Sequence, residues 1–551
     1  MYKPFSLILA LALLTGGSAA ERADEIDSMT PSSAVLLIKT SRINDFVVSF
    51  TYVVENLLSK RRADSFIKEK NAFRDRTGID PLDLDSLKKA GVDVERRAGM
   101  AIFPDGTRGE ERMALFMPVL NVKTFPLAFV DMIKKAKKTE DTDIYPAITE
   151  YRGYTVHQIG RDIFSAAFDG VFVLASTGEL LRKILDTRAD NAGYLALDSR
   201  YKEWSGRGGR GYDLRVFATR EFLKEAVRKK RKKESDGEGV EKKGEGPRAW
   251  IGEGGLVMAA VEREGFTSGA SLFNAVDYAF LGASARSGSV KVDVGFKFNE
   301  TSATVTTFLD ILKTGMTARS LRIRDAATYS FLSLDFAKIE DLCRRGSPGC
   351  RHYQQIKEGM REDLGIDFQT DLLPYYNGVL NLIAGPPKGA GGGYLIYIPM
   401  EDASKARALW DKSSAYLKKK YEGTGRYGTG SIGEKKMFWY IDSKNNRNHA
   451  VCDARGLYLG NDTGLIDVAL SSPEIGTGEA AKEADMKLGD AVFFFTRLKK
   501  ESFFGALLSL YSYRNDDLRL LVEKMTDLVI VGEKADRYLS IAIDMKLAGR
   551  R

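Results

Sequence analysis

A chain of 551 residues with 44% hydrophobic and 29% charged residues has the composition of a globular protein, which excludes disorder as its main state. A formal net charge of +8 is a mild excess that chiefly sets solubility. With only three cysteines, a disulfide-dense scaffold is excluded as well.

The first twenty residues have the pattern of a secretory leader. Lys3 supplies the positive start, Leu7 to Leu14 the apolar stretch, and Ser18-Ala19-Ala20 the small residues before Glu21. Cleavage there removes Lys3 and leaves +7. No later run reaches the roughly 18 apolar residues of a spanning helix, so a periplasmic or secreted protein with no transmembrane span in the mature chain is expected. Ser33 to Ile38 then reads as a strand, followed by an amphipathic helix from Ile43-Asn44-Asp45-Phe46.

Further along, Arg74 to Asp80 reads as a helix end with a glycine C-cap. Ala98 to Ile102 and Phe116 to Val119 read as strands, the second ending at Pro118. The three-to-four spacing of Phe125, Phe129, Met132 and Ile133 predicts a helix. Tyr154 to Ile159 is half of a hairpin, and Asp169 to Gly178 reads as turn, strand and capped helix. Val216 to Arg220 leads from strand into helix. The copy closes on strands near Tyr278 to Gly282 and Val290 to Phe298.

These blocks recur. Tyr329 to Leu332 and Ile339 to Leu342 answer the first strand and helix, and Arg361 to Asp367 answers Arg74 to Asp80. Asn377 to Asn381 answers Ala98 to Ile102, and Tyr397 to Met400 answers Phe116 to Val119. Trp410 stands opposite Phe129, and Met437 to Ile441 opposite the hairpin. Arg455 to Gly464 answers Asp169 to Gly178, while Phe493 to Arg497 answers Val216 to Arg220. Two strands, Leu528 to Gly532 and Tyr538 to Met545, end the second copy. A period close to half the chain means duplication of a domain. The expected fold is α+β: two tandem copies of a mainly antiparallel sheet with helices on one face. The copies span 21–318 and 319–551, with a linker near Gly315 to Arg324.

Only the first copy carries a basic insertion, 228–248. It begins Arg228-Lys229-Lys230-Arg231-Lys232-Lys233 and continues rich in Gly, Glu and Lys. This is the candidate polyanion-binding segment, for anionic lipid headgroups or lipopolysaccharide; a solvated helix extension is the plainer reading. It lacks aromatic residues for base stacking, which argues against nucleic acid. Cys343 and Cys350 flank a turn-forming insert and are expected to form a local disulfide, leaving Cys452 as a small buried filler.

Catalytic and cofactor motifs fare poorly. Gly423 to Gly428 and Gly428 to Gly433 both spell a dinucleotide fingerprint, but that chemistry needs a strand before and a helix after. Here a lysine-rich helix precedes and a strand follows, so no cofactor is expected. Ser65-Phe66-Ile67-Lys68, Ser86-Leu87-Lys88-Lys89 and Lys313-Thr314-Gly315 match fragments of penicillin-recognising serine enzymes, in which the lysine helps accept the serine proton; the intervening element of that set is missing. There is no Gly-x-Ser-x-Gly elbow. The three histidines, His157, His352 and His449, read as structural, with His449 aligned to Ile163 and Cys452 to Ala166. Asp83 and Asp85 suit a helix start. No metal set is apparent.

Gly78-Ile79-Asp80-Pro81, Ala90 to Val94, Tyr151-Arg152-Gly153 and Asp169 to Ser176 together resemble a broad group of exported bacterial proteins of unknown function. The resemblance implies fold and location and brings no catalytic residues. The functional expectation is an exported non-catalytic envelope protein that binds or scaffolds an unknown ligand or envelope partner. The alternatives are a serine acyl-transferring enzyme and a polyanion or membrane-surface binder.

Overall fold

The computed structural model describes residues 25–548, apart from 105–111, 138–146, 160–162, 208–210, 236–274, 287, 300–302, 316–327, 345–349, 377, 389–390, 443–444, 473–490 and 501–515. The expected leader, most of the basic insertion and most of the expected linker therefore lie outside the described residues. Two compact units form among the described residues, one on 25–235 and 277–296, the other on 275–276 and 297–548.

In the first unit the strands are β1 (Leu36–Arg42), β2 (Arg97–Phe103), β3 (Arg112–Pro118), β4 (Ala147–Tyr151), β5 (Tyr154–Ile159), β6 (Ile163–Phe168), β7 (Val171–Ala175), β8 (Leu214–Thr219), β9 (Val276–Arg286) and β10 (Ser289–Phe298). They lie in the order β4-β5-β6-β7-β3-β2-β1-β8-β9-β10. Its helices are α1 (Glu25–Met29), α2 (Ile43–Asn56), α3 (Lys60–Thr77), α4 (Leu84–Lys89), α5 (Phe125–Lys137), α6 (Gly178–Asp190), α7 (Ser199–Arg207) and α8 (Arg220–Ser235).

The second unit has β11 (Thr328–Ser333), β12 (Val379–Lys388), β13 (Gly391–Pro399), β14 (Tyr427–Ile432), β15 (Lys435–Ile441), β16 (Arg447–Asp453), β17 (Gly456–Gly460), β18 (Val492–Lys499), β19 (Met525–Ala535) and β20 (Tyr538–Leu547). Their order, β14-β15-β16-β17-β13-β12-β11-β18-β19-β20, is that of the first unit. Its helices are α9 (Ala303–Ile311), α10 (Phe336–Arg344), α11 (Cys350–Leu364), α12 (Ala403–Lys420), α13 (Thr463–Ser471) and α14 (Asp516–Lys524). The fold class is α+β with antiparallel pairing. The division between units falls at Phe296 and Lys297, ahead of the linker expected from composition. The reason is α9, whose last turn is tied to the second unit. Lys534 Nζ donates to the carbonyls of Leu309 at 2.7 Å and Leu312 at 2.6 Å, and Leu312 bridges Leu334.

Helices were expected on one face of each sheet; they lie on both. In the second unit Ile398, Cys452 and Leu457 pack with Trp410 and Leu417 of α12. Their strand neighbours Tyr397, Val451 and Tyr458 pack with Ile466 and Ala469 of α13. Successive strand residues point to opposite faces, so the sheet is covered twice. In the first unit Phe125 and Phe129 of α5 pack on Phe172, while α6 buries Leu180, Leu181, Ile184 and Leu185. The run Val171-Phe172-Val173-Leu174-Ala175 is buried throughout, the signature of a strand covered on both sides.

The turns follow their residues. Gly78 and Gly365 end α3 and α11 at φ +76° and +66°, a left-handed conformation that glycine adopts without strain. Arg152-Gly153 and Asp169-Gly170 both have positive φ, the two-residue hairpin turn that suits strand twist.

Hydrogen-bond register corrects the sequence alignment of the copies. Pro118 pairs with Val171, and Pro399 pairs with Gly456; Val119 N donates to Gly170 O, and Met400 N donates to Arg455 O. Gly170 thus answers Arg455, one residue away from the pairing suggested by the two glycines. The second turn is closed differently, by Asp453 Oδ1 accepting from the Arg455 and Gly456 amides. Hence Cys452 stands where Ala167 does, not Ala166, and His449 where Phe164 does, not Ile163.

Candidate functional site

Counting outward from that register compares the interior of the copies position by position. Lys39 pairs with Gly99 and Arg215; Phe331 pairs with Asn381 and Phe495 at the same level. Gly99 and Asn381 lie opposite Phe116 and Tyr397 in turn, so the ladder matches Gly99 to Asn381 and Arg215 to Phe495, three residues away from the sequence pairing of those two blocks. The first copy is therefore cationic where the second stacks two phenylalanine rings, Phe331 and Phe495, 5.9 Å apart.

The cationic position is the floor of a slot occupied by α1. Lys39 is 2% exposed. Its Nζ donates to Asp27 Oδ1 at 3.0 Å, to Asp27 Oδ2 at 2.7 Å and to Tyr201 Oη at 2.5 Å. The ammonium also lies 5.2 Å from the Tyr201 ring and 5.6 Å from that of Trp204. At the rim, Arg96 pairs with Glu25 and donates to the carbonyl of Gly170 at 2.9 Å. Ile26 and Met29 of α1 are buried. Gly99 makes room for them: a Cβ there would meet the Ile26 side chain at 3.2 Å. Sequence reasoning missed this slot. The available signal was a lysine at an alternating, inward position of Leu36-Leu37-Ile38-Lys39, since a buried lysine demands a partner.

The second unit has its own buried charge. Glu340 on α10 accepts from Tyr353 Oη at 2.8 Å and from Lys357 Nζ at 2.9 Å, and also from Gln369 Nε2. Burial opposes its charge, but the hydrogen bonds from Lys357 and Tyr353 prevail and hold its carboxyl below the usual range. Burial and the same carboxylate push the Tyr353 phenol up. The Cys343–Cys350 disulfide joins the end of α10 to the start of α11 beside this network. Cys452 is buried and unbridged.

Of the other singled-out residues, Arg228 to Lys233 form the C-terminal part of α8, where cations favour the helix dipole; Arg228 is exposed and paired with Glu225. The glycine-rich run is explained by β14 and β15. Gly428 lies opposite Trp439, and a Cβ at Gly428 would meet the indole at 2.4 Å. These glycines let an aromatic ring lie across an edge strand. Ser86 Oγ accepts from the Asp80 amide at 2.8 Å, Ser65 is exposed on α3, and Lys313 belongs to the second unit. Asp83 caps α4. Tyr151 and Arg152 both bond Asp186 of α6, so the Tyr-Arg-Gly phrase clamps a hairpin to a helix.

His157 and His449 are 7% and 8% exposed, and neither Nδ1 has a hydrogen-bond partner among the described residues. Burial lowers both pKa values, with Arg447 adding to the effect at His449. By register, His157 stands where Phe438 does and His449 where Phe164 does. Their folded pKa values lie below the unfolded value of about 6.5. Stability is therefore full above that pH and falls as the unfolded chain takes up protons below it, by at most about 1.4 kcal/mol per pH unit per histidine. His157→Phe with His449→Phe is expected to flatten urea stability between pH 7 and pH 5; an unchanged slope would show that other groups set it.

No family model and no curated protein matches the chain. Among solved structures, crystal form I of TP0453 is similar at TM-score 0.24 and 11% identity, covering 52% of this chain and 81% of that one. Crystal form III gives 0.25 and 11%, covering 54% and 88%. At this level the likeness carries no argument.

Proposed function

We propose that the chain is an exported, non-catalytic protein of the bacterial envelope that binds or scaffolds a partner. The observation that supports this is the pattern of exchange between the copies. Strand order is kept, while polar interior residues in one copy meet aromatic residues in the other: Lys39 against Phe331, Arg215 against Phe495, His157 against Phe438. Duplication has preserved a frame and not a reactive set, as suits a protein whose surface does the work. The disulfide suits an oxidising compartment, and no helix among the described residues is long and apolar enough to cross a membrane. Fractionation by osmotic shock tests the location: the protein should appear in the released fraction, oxidised at Cys343–Cys350. Recovery as a reduced cytoplasmic protein would overturn the reading. The serine acyl-transfer alternative is tested by a fluorescent β-lactam, which is expected to leave Ser65 and Ser86 unlabelled.

A second reading, contact with an anionic surface, is favoured by the six consecutive basic residues Arg228 to Lys233 at the end of α8. Near anionic lipid each such residue contributes about 1 kcal/mol, and the attraction is screened by salt. Deleting Lys229 to Gly246, with a short Gly-Ser join, is expected to leave the melting temperature nearly unchanged, because loop length alters closure entropy by only about 0.6 kcal/mol per halving. The same deletion should abolish salt-sensitive retention on heparin or phosphatidylserine vesicles. Unchanged retention would remove this reading.

A further inference from the structure

We propose that α1 is a detachable plug, and that the slot beneath it is a binding site for a carboxylate carried on a single helical turn. Its occupant is the chain's own Glu25–Met29. This goes beyond the scaffolding role and does not depend on it. Three observations converge. First, at the matching strand positions the second copy carries no charged side chain: Phe331, Asn381 and Phe495 stand there. Asn381 and Phe331 stand, at matching register, where the first copy has Gly99 and Lys39, and Asn381 is fully buried. Ionic lining is therefore not needed for the fold. Second, a buried ion pair is commonly no more stabilising than apolar residues of similar size, and its better-attested use is to fix which partner sits where. Lys39 meets both oxygens of Asp27, with Ile26 and Met29 buried beside them, so the slot reads an acidic turn flanked by apolar residues. A further buried donor, Trp204 Nε1, has no acceptor among the described residues. Third, five residues are far too few to hold a helix in water. The turn is ordered by the slot and dissolves when it leaves.

Native-state hydrogen exchange on the full-length chain tests the plug. The Thr30 amide, bonded to Ile26 O at 2.9 Å, should exchange at least a hundredfold faster than the Leu37 amide in β1, because α1 opens without global unfolding. Equal protection of the two overturns the proposal. Recognition is tested with a chain starting at Thr30 and a free peptide of residues 21–29. The peptide should bind saturably, report through Trp204 fluorescence and raise the melting temperature. The Asp27→Asn peptide should bind at least tenfold more weakly. Equal binding of the two peptides, or none by either, would overturn carboxylate recognition. If the shortened chain fails to fold, full-length Gly99→Asn decides instead: the added side chain should erase Thr30 protection while sparing that of Leu37. Retained protection at Thr30 overturns the site.

Discussion

Replacing Asp27 by alanine is expected to lower the stability of the first unit by about 3–5 kcal/mol, the usual cost of leaving a buried charge without its partner. Lys39 cannot reach water while α1 is seated, since its side chain is 3% exposed, and a phenol hydroxyl such as Tyr201 Oη cannot neutralise an ammonium. Asp27→Leu combined with Lys39→Met should recover most of that loss, to within about 1.5 kcal/mol of the parent, because a well-packed apolar pair often equals a buried ion pair. The second copy supplies the precedent with Phe331. Urea unfolding followed by Trp204 fluorescence measures both. A loss below about 1 kcal/mol for the single change, typical of exposed pairs, would mean that the slot is open to solvent.

Glu340→Ala is expected to cost the second unit about 3 kcal/mol, the lower end of the range for a broken buried pair. Lys357 is 16% exposed along its side chain and can partly reach water once released. The parent contribution carries a pH sign. The folded carboxyl ionises below its unfolded pKa of about 4.3, so its stabilisation is complete above that pH and fades as pH falls further. Glu340→Ala should therefore be least damaging in acid. Losing the disulfide through Cys343→Ser and Cys350→Ser removes about 2.5 kcal/mol in the chain-entropy picture. The two losses should not add. The bridge holds α10 against α11, the helices that carry Glu340 and its partners. A double-mutant cycle should show coupling of at least about 0.5 kcal/mol. Simple additivity would mean that the bridge constrains the chain without supporting the network.

Much of the frame was legible in the sequence because it rests on local rules. Gly78 and Gly365 mark helix ends, Pro118 and Pro399 end strands, and Cys343 and Cys350 sit seven residues apart. Helix placement was not legible. Val171 to Ala175 reads as a buried strand, but a continuous apolar run does not say which helix covers which face. Register was misread for a related reason. Asp169-Gly170 and Arg455-Gly456 look alike, yet the first is a turn made by backbone conformation and the second is held by the Asp453 side chain. The slot was invisible because Asp27 and Tyr201 meet Lys39 only in three dimensions, 12 and 162 residues away.

The offset turn has a practical reach for anyone building chimaeras of the two copies. Segments must be cut by ladder position. Gly456 to Gly460 can replace Val171 to Ala175 with every side chain keeping its orientation, so that Tyr458 lands where Val173 was. A transplant matched by resemblance, Leu457 to Asn461, would slide the strand by one and turn each residue to the wrong layer. Tyr458 would then press into the Phe125 and Phe129 rings, and a polar asparagine would stand at the strand's end. Interchangeable parts in this protein are defined by hydrogen bonds, not by letters.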